Sequence, residues 1–298
     1  MPLHYLIDCA RRSMSATPHG IRRNLSPPPA AGARPGAPAR GAGIGGVVTD
    51  GREPPAGAAR RRPRGSEVRI VIAAMPKSGS TWLRLILQSY TKMPRATLAP
   101  ASPRREQEID PIYGRGFAGG FVAQHHVRAH GQSEHTLREL RATTVVLLRN
   151  VYDHLLSLRD HIETRGPEIP TAYVDDGYFR LSADEKLDFL VAFHLPWVFN
   201  FLASWSHSPL KPLVLTYEEL NRDTFGAVSA IMERANIEVR DKVLAEIIEH
   251  TNRADYESLK NRMVSGRGAT EFPPAARARV ERMAGFYPDL PLLPLVGL

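Results

Sequence analysis

The sequence predicts an α/β fold, with an open and mostly parallel sheet flanked by helices, and three observations lead to this class. Residues 68–75 and 144–148 are nearly continuous apolar runs, as expected of strands that are buried on both faces. Helical patterns alternate with the strands along the chain, which is typical of parallel sheets. The chain has 298 residues, of which 43% are hydrophobic, so it is long and apolar enough for one large domain.

The individual elements follow from hydrophobic periodicity and from the residues that begin and end each run. Strands are predicted at residues 68–75, 121–126, 144–148 and 213–217. Helices are predicted at residues 81–91, 151–165, 183–204, 224–235 and 241–252, the third being a pair broken near Pro196. Ligands of open parallel sheets bind beyond the carboxyl ends of the strands, so the residues that follow the strands are candidates for a site.

Residues 1–66 differ from the rest of the chain in composition. They contain eleven Arg and three acidic residues, and therefore carry the whole formal charge of +8. This Pro/Gly/Ala-rich segment has too little apolar surface to offset the entropy of ordering, so we predict a disordered tail, most simply a solvated one, followed by one domain at residues 67–298. The charges of that domain cancel, which gives no reason to expect a specific nucleic-acid partner.

The remaining composition favours a cytoplasmic protein. A single cysteine, Cys9, excludes an intrachain disulfide. The most apolar stretch, residues 187–205, contains Asp188 and Pro196, which are costly inside a membrane. We therefore predict a core helix pair there and no transmembrane segment, and the sequence leaves the oligomeric state open.

The first motif, Pro-Lys-Ser-Gly-Ser-Thr-Trp, follows the first strand at residues 76–82. Gly79 permits a tight turn, and the start of the next helix supplies unpaired N–H groups for an anion. The side chains that would support an anion site are Lys77, Ser78, Ser80 and Thr81. No glycine precedes Lys77 at the spacing of a Walker A loop, and an ordinary capped connection explains the segment about equally well.

The second motif begins where the third predicted strand ends. Arg149 lies at the ligand edge of the sheet, where a buried guanidinium needs an anion or a carboxylate as partner. Asn150 and Asp153 suggest a variant of the helix capping box. Ser157 lies off the apolar stripe of this helix, on the face that it shares with Asp153 and His154, and a plain surface serine is the alternative.

Together the two motifs resemble those of the sulfotransferase family. The first resembles Tyr-Pro-Lys-Ser-Gly-Thr-Thr-Trp, with Met75 at the Tyr position, and the second resembles Arg-Asn-Pro-x-Asp-x-x-x-Ser, with Val151 at the Pro position. The resemblance implies a P-loop NTPase-like fold and an enzyme that transfers a sulfuryl group from 3′-phosphoadenosine 5′-phosphosulfate (PAPS) to a hydroxyl or amine. The leaving group would be adenosine 3′,5′-bisphosphate (PAP).

The resemblance also implies roles for single residues. Lys77 would bridge the sulfate and the leaving phosphate of the donor, Trp82 would pack on adenine, and Arg149 with Ser157 would hold the 3′-phosphate. A later segment, residues 213–220, resembles the strand of the family that ends in Tyr-Glu-Asp. Its Tyr217 would then lie near the adenine, and a plain buried tyrosine is the alternative.

The general base of the family is a His at the end of a strand between the two motifs, in the pattern Lys-x-His-x-Pro. If Gln124 occupies the Lys position, the base is His126, although Gln124 lacks the charge of a Lys. The neighbouring His125 stays an alternative, because alternation along a strand sends adjacent imidazoles to opposite faces.

Other classes of function remain open at this stage. A metal site at the His cluster is one alternative, with His125, His126, His130 and His135 as ligands, although no cysteine supports it. We expect no metal, because Lys77 and Arg149 suffice to neutralise the donor. A P-loop kinase or nucleotide hydrolase, and a non-catalytic binding protein that uses the basic tail, are the further alternatives.

The acceptor is not predicted beyond its broad class. Sulfotransferases modify sugars, lipids, small aromatic molecules and peptides, and we expect the acceptor pocket to use residues 92–113 and 163–205. The aromatic side chains of the second segment either line that pocket or belong to the core. The last cofactor motif of the family has only a loose counterpart, in which either Arg262 or Arg267 would contact the 3′-phosphate.

Overall fold

The computed structural model describes residues 68–99, 108–114, 117, 119–169, 171–253 and 265–298. The predicted tail at residues 1–66 therefore lies outside the described residues, as does Arg262. The domain boundary predicted at residue 67 stays a prediction for the same reason.

Five parallel strands form one sheet in the order β2-β3-β1-β4-β5. The strands are β1 Arg69–Ala74, β2 Arg95–Ala96, β3 Phe121–His125, β4 Thr143–Leu148 and β5 Leu213–Thr216. In the register, Ala73 pairs with His125 on one side and with Val146 on the other, so the carboxyl ends of the three central strands lie level. The open parallel sheet predicted from the sequence is confirmed, and β2 is the strand that the prediction lacked.

Helices cover both faces of this sheet. They are α1 Ser80–Thr91, α2 Pro111–Gly114, α3 Gly131–Glu139, α4 Val151–Arg165, α5 Asp176–Phe179, α6 Ala183–Phe193, α7 Leu195–Ser206, α8 Tyr217–Arg222, α9 Thr224–Arg234, α10 Asp241–Arg253, α11 Arg267–Thr270 and α12 Pro274–Ala284, followed by a 3₁₀ turn at Pro294–Val296. Each predicted helix is present, and the pair predicted at residues 183–204 consists of α6 and α7.

Alternate residues of β1 belong to two separate hydrophobic cores. Val71 and Ala73 pack in the core that contains α4, α6, α7 and α12, whereas Ile70 and Ile72 pack in the core of α1, α9 and α10. All four side chains are fully buried. The apolar sequence of this strand is explained by its position, because a central parallel strand has no face that meets water.

The break between α6 and α7 falls at His194, two residues before Pro196 in the first turn of α7. By length and composition, the helical stretch Ala183–Ser206 is able to cross a membrane, with a mean hydropathy of 1.4 in its most apolar window. Of that window, 56% is buried inside the protein, and core helices of soluble proteins pass the same test. Trp197, Phe201 and Trp205 are buried in the core. Of the two interpretations that the sequence left open, lining of the acceptor pocket or packing in the core, the structure agrees with packing in the core.

Candidate active site

Side chains that follow four neighbouring strands meet at the carboxyl edge of the sheet. Lys77 follows β1, His126 follows β3, Arg149 follows β4 and Tyr217 follows β5. The guanidinium carbon of Arg149 lies 4.5 Å from the ring centre of Tyr217, and Arg149 Nη1 donates a hydrogen bond to the carbonyl oxygen of Lys77 at 2.7 Å. Arg149 and Tyr217 are 7% and 4% exposed, so this contact excludes water almost completely.

Four consecutive carbonyl groups, from the last residue of β1 into the loop before α1, pair with side-chain donors. The pairs are His126 Nδ1 with Ala74 (2.8 Å), Ser78 Oγ with Met75 (2.7 Å), His154 Nδ1 with Pro76 (2.7 Å) and Arg149 Nη1 with Lys77 (2.7 Å). In a trans peptide the N–H points away from the C=O. The N–H groups of Lys77 and Ser78 therefore point away from His154 and Arg149, as in an anion-binding nest at the start of a helix.

The backbone of this loop has a positive φ at two positions, and one of them is strained. Lys77 has a φ of +63°, a left-handed conformation that is uncommon for a residue other than glycine, and Gly79 has a φ of +81°. A Cβ atom at position 79 would also lie 2.8 Å from the ring of Tyr217. Gly79 is therefore required both by its conformation and by the packing of Tyr217.

The side chain of Lys77 lies against α4. Its Nζ is 3.4 Å from Nδ1 of His161, and burial, reinforced by Arg149 and Arg165, lowers the pKa of Lys77 to about 8. Burial also lowers the pKa of His161 to about 4, with a further contribution from Lys77. The neutral His161 ring therefore accepts a hydrogen bond from the ammonium group. Sequence reasoning missed His161, although it lies one helical turn after Ser157.

Asp153 has a different partner from the one that the sequence suggested. Asn150 caps α4 by accepting from the N–H groups of Tyr152 and Asp153, at 3.1 and 3.3 Å. The carboxylate of Asp153, which is buried, instead accepts from the N–H groups of Gly266 and Gly268, each at 2.5 Å. The capping-box prediction is thus corrected, since Asp153 fixes the start of α11 rather than the start of its own helix.

The second half of the 149–157 motif lies in the interior. Ser157 is 8% exposed, which excludes the interpretation as a plain surface serine.

Of the two arginines considered for the last cofactor motif, Arg267 lies in the described part of the chain. It donates to Asp160 at 2.8 Å and to Glu271 at 2.7 Å. Both partners of Arg267 are carboxylates at the protein surface or near it, so in this structure its guanidinium is engaged next to α4.

The two adjacent histidines of β3 have different neighbours. His125 is 2% exposed, its Nε2 accepts from the N–H of Leu98 at 2.9 Å, and burial lowers its pKa to about 4. His126 instead reaches the end of β1, where its Nδ1 pairs with the carbonyl of Ala74. A carbonyl oxygen only accepts, so the proton of a neutral His126 is on Nδ1 and its lone pair is on Nε2.

Gln124, which stands at the family's Lys position, connects the loop with an arginine. Its Nε2 donates to Oγ of Ser80 at 2.9 Å, and its Oε1 accepts from Nε of Arg84 at 3.2 Å. Arg84 lies on α1, one turn after Ser80. A positive charge is therefore present next to Gln124, although it comes from a different element than in the family pattern.

The remaining predicted residues begin α1 or pack beneath it. Ser80 is buried and Thr81 is half-buried at the start of the helix. Trp82 is 3% exposed in the core between α1 and α10, where its indole N–H donates to Oδ1 of Asn252 at 3.0 Å. In the part of the chain that the structure describes, Trp82 thus has a polar partner on α10 that the sequence did not suggest.

The four histidines considered as metal ligands do not lie together around one point. His130 caps α3, and His135 pairs with Glu139 at 3.1 Å on the exposed surface of that helix. Within the described ranges, no group of three or more His, Cys, Asp and Glu side chains is arranged to hold a metal ion. The alternative of a metal site at this His cluster therefore receives no support.

Acid is expected to destabilise the protein, because several buried histidines are neutral. Burial lowers the pKa of His125 to about 4 and that of His194 to about 3, below the ordinary value of 6.5. The unfolded chain thus binds protons that the folded chain does not. Each group removes up to about 1.4 kcal/mol of unfolding free energy per pH unit as the pH falls from about 6.5 towards its folded pKa.

Urea unfolding at about pH 7.5, 6 and 5 measures this loss. The matched variant is His125→Gln, whose amide oxygen keeps an acceptor for the N–H of Leu98 without titrating. Its unfolding free energy should depend less steeply on pH than that of the wild type. Parallel curves for the two proteins would exclude His125 as a source of the acid sensitivity.

The fold and the edge of the sheet define an α/β protein of the P-loop type, in which a strand, a loop suited to an anion and a helix surround the half-buried Lys77 and the buried Arg149. A family model described as "Sulfotransferase domain" matches residues 67–268. The chain therefore belongs to the sulfotransferase family, and the protein is a sulfotransferase. This confirms the family and the enzyme class that the two motifs predicted.

Solved structures of low sequence identity share this fold. Mouse sulfotransferase SULT7A1 complexed with PAP has 17% identity over 75% of this chain and 85% of its own, with a TM-score of 0.54. Retinol dehydratase in complex with androsterone and inactive cofactor PAP has 14% identity over 76% of this chain and 82% of its own, with a TM-score of 0.51. No curated protein matches the chain by sequence.

Proposed function

We propose that the protein transfers the sulfuryl group of PAPS to a hydroxyl (or amine) group of an acceptor. The observation that carries the proposal is the convergence of Lys77, Arg149 and His126 at the carboxyl edge of the sheet, around a loop whose carbonyl groups are held by His126, Arg149 and His154. The donor has a phosphosulfate and a separate 3′-phosphate. Two cations and a set of N–H groups suit both anions, because charged hydrogen bonds in a dry site are strong.

In this proposal the donor is held by residues of both motifs. Lys77, with the N–H groups of the loop and the start of α1, binds the phosphosulfate, to which Ser80 and Thr81 offer hydroxyl groups. Ser78 and Gly79 shape the loop, the first through its bond to Met75 and the second through its left-handed backbone. Arg149 and Ser157 hold the 3′-phosphate, and Trp82 and Tyr217 lie towards the adenine.

His126 is the general base of the proposed reaction. The acceptor oxygen forms a bond to sulfur in line with the breaking S–O bond, Nε2 of His126 takes the acceptor proton, and PAP leaves with the electron pair. Lys77 stabilises the charge that develops on the leaving phosphate. His126 suits the role better than His125, because its bond to Ala74 puts the lone pair on Nε2, whereas the Nε2 lone pair of His125 accepts from the N–H of Leu98.

The acceptor is proposed as a small molecule, a glycan or a lipid. One structural neighbour contains androsterone, which supports the small-molecule class without identifying the compound. A cytoplasmic location is likewise proposed, from the composition of the chain. Fractionation of cells that express the full-length protein tests the location directly.

Calorimetric titration of the full-length protein with PAP, without magnesium, tests the proposed cofactor. ATP with and without magnesium is titrated in parallel. Micromolar binding of PAP that requires the 3′-phosphate is the expected result. Binding of magnesium-ATP in preference to PAP would overturn the proposal in favour of a kinase or nucleotide hydrolase.

The affinity for PAP is expected to fall as the pH rises above about 8. The pKa of Lys77 is lowered to about 8, so the ammonium group that binds the anion is lost above that value. If only the charged form binds, the affinity falls by up to about tenfold per pH unit. The phosphates of PAP are already ionised in this range, because the second pKa of a phosphate is about 6.

Lys77→Arg is the control for this pH dependence. A guanidinium keeps its charge throughout the range, so the affinity of this variant should change little between about pH 7 and 9.5, whatever its absolute value. Titration at several pH values in one buffer mixture gives the slope. An affinity of the wild type that stays constant across that range would exclude Lys77 as the titrating group.

A further inference from the structure

Two fully buried histidines link the loop after β1 to the junction of α6 and α7. His154 and His194 are both 0% exposed, and their Nε2 atoms lie 2.6 Å apart. His154 Nδ1 lies 2.7 Å from the carbonyl oxygen of Pro76, and His194 Nδ1 lies 2.6 Å from Oγ1 of Thr171. His154 occupies an unspecified position of the second motif, and neither histidine has a part in the proposed chemistry.

The hydrogen bonds that join Thr171, His194, His154 and the carbonyl of Pro76 can be donated in one direction only while both rings are neutral. The carbonyl of Pro76 only accepts, so Nδ1 of His154 carries its proton and its Nε2 carries the lone pair. His194 must then donate from Nε2, which leaves a lone pair on its Nδ1, and the hydroxyl of Thr171 donates to it. Burial keeps both rings neutral, since it lowers the pKa of His194 to about 3 and that of His154 well below the ordinary value.

We propose that His154 is a positioning residue of the donor-binding loop: its Nδ1–H holds the carbonyl of Pro76, and His194 orients the imidazole by donating to its Nε2. The α6–α7 junction is thereby linked, through one imidazole, to the loop that binds the donor. This inference rests on the proposed function, because its main readout is the binding of PAP.

The geometry of the loop explains why the bond to Pro76 matters. The peptide between Pro76 and Lys77 has its C=O held by His154, and its N–H therefore points to the opposite side, where we propose that the phosphosulfate binds. Without the imidazole donor, this peptide is free to rotate about a backbone that is already strained at Lys77, with a φ of +63°. Rotation would turn an N–H donor away from the anion.

Thr171→Val is the control at the far end of these hydrogen bonds. The change keeps the branched shape and removes the hydroxyl that donates to Nδ1 of His194, so the stability of the protein should fall. The carbonyl of Pro76 still accepts from Nδ1 of His154, so neither the tautomer of His154 nor the affinity for PAP should change. An affinity that falls with Thr171→Val would mean that PAP binding follows the general stability of this region, and would contradict the inference.

Nitrogen-15 NMR of the imidazole rings in the full-length protein reports the tautomers directly. The wild type should show a protonated Nδ1 on His154 and a protonated Nε2 on His194, and Thr171→Val should keep both. A wild type in which His154 is protonated on Nε2 has no donor for the carbonyl of Pro76, and this result would overturn the inference.

A rescue pair at position 154 provides the second test. The amide N–H of Asn in His154→Asn takes the place of Nδ1 and still donates to Pro76, whereas His154→Leu offers no donor. Both variants lose the contact with His194, so both should unfold at a lower temperature. Only His154→Leu should bind PAP about tenfold more weakly, and equal affinity of the two variants would contradict the inference.

Failure of the proposed function looks different from failure of this inference. A wild type that binds no PAP refutes the proposed donor, while the tautomer of His154 still reports whether its Nδ1 donates to Pro76. If the variants at position 154 do not fold, the tautomer of His154 in the wild type decides alone.

Discussion

Replacing His126 by alanine is expected to lower the turnover of sulfuryl transfer by about 10²–10⁴-fold, the usual contribution of a general base. The change removes Nε2, the atom on which a neutral His126 has its lone pair because its Nδ1 pairs with Ala74. The binding of PAP should remain, with at most the roughly tenfold loss of one hydrogen bond, because alanine also removes the Nδ1 donor to Ala74. Turnover with a fixed acceptor and PAP titration of the same preparation measure the two effects.

Two further variants make this prediction specific. His126→Asn keeps an N–H donor for the carbonyl of Ala74 but has no base, so its turnover should be as low as that of His126→Ala. His125→Gln preserves the acceptor for Leu98 and should keep the turnover of the wild type. If His125→Gln loses activity and His126→Ala does not, the base has been assigned to the wrong histidine.

Replacing Arg149 by alanine is expected to weaken the binding of PAP by about 100-fold or more, because a buried charge-paired contact is lost. Arg149 is 7% exposed, so its guanidinium meets the proposed 3′-phosphate with little competition from water. Adenosine 5′-phosphate lacks that phosphate, and its affinity should change much less. The difference between the two ligands isolates the contact from any general damage to the loop, whose Lys77 carbonyl also loses its donor.

Arg149→Lys and Arg267→Ala complete the comparison. Lysine keeps the charge but not the paired donors of the guanidinium, so an intermediate affinity is expected. Arg267 is engaged with Asp160 and Glu271, and its removal should weaken PAP binding less than the removal of Arg149. The opposite order would place the 3′-phosphate at Arg267 instead.

The parts of the fold that could be predicted from the sequence are those with strong local patterns. The limits of α4 coincide with the prediction, because Asn150 caps its start and Gly166 follows its end. Helices α3 and α12 were missed, because their large apolar side chains are few, Leu137 in α3 and Val280 with Met283 in α12, and local periodicity does not reveal them. The two-residue strand β2 is defined by its pairing with β3, which no local pattern encodes.

The candidate site shows the same limit at the level of single side chains. The spacing of residues in the two motifs indicated Lys77, Arg149 and the histidines of β3, because each motif is local. The partner of His154 lies forty residues away at His194, and the partners of Asp153 lie more than a hundred residues away at Gly266 and Gly268. Such contacts depend on tertiary packing, and a single sequence contains no signal for them.

The loop at residues 74–77 has its carbonyl groups held by side chains of three separate segments, the end of β3, the end of β4 with α4, and the loop itself. Residues 76–82 alone are therefore not sufficient to form this loop in another protein. Grafted onto the strand, turn and helix of another α/β protein, residues 76–82 would keep their hydroxyl groups and their glycine but lose three of the four donors. The shape belongs to the assembled sheet edge, so a transplant that works has to carry the ends of β3 and β4 with it.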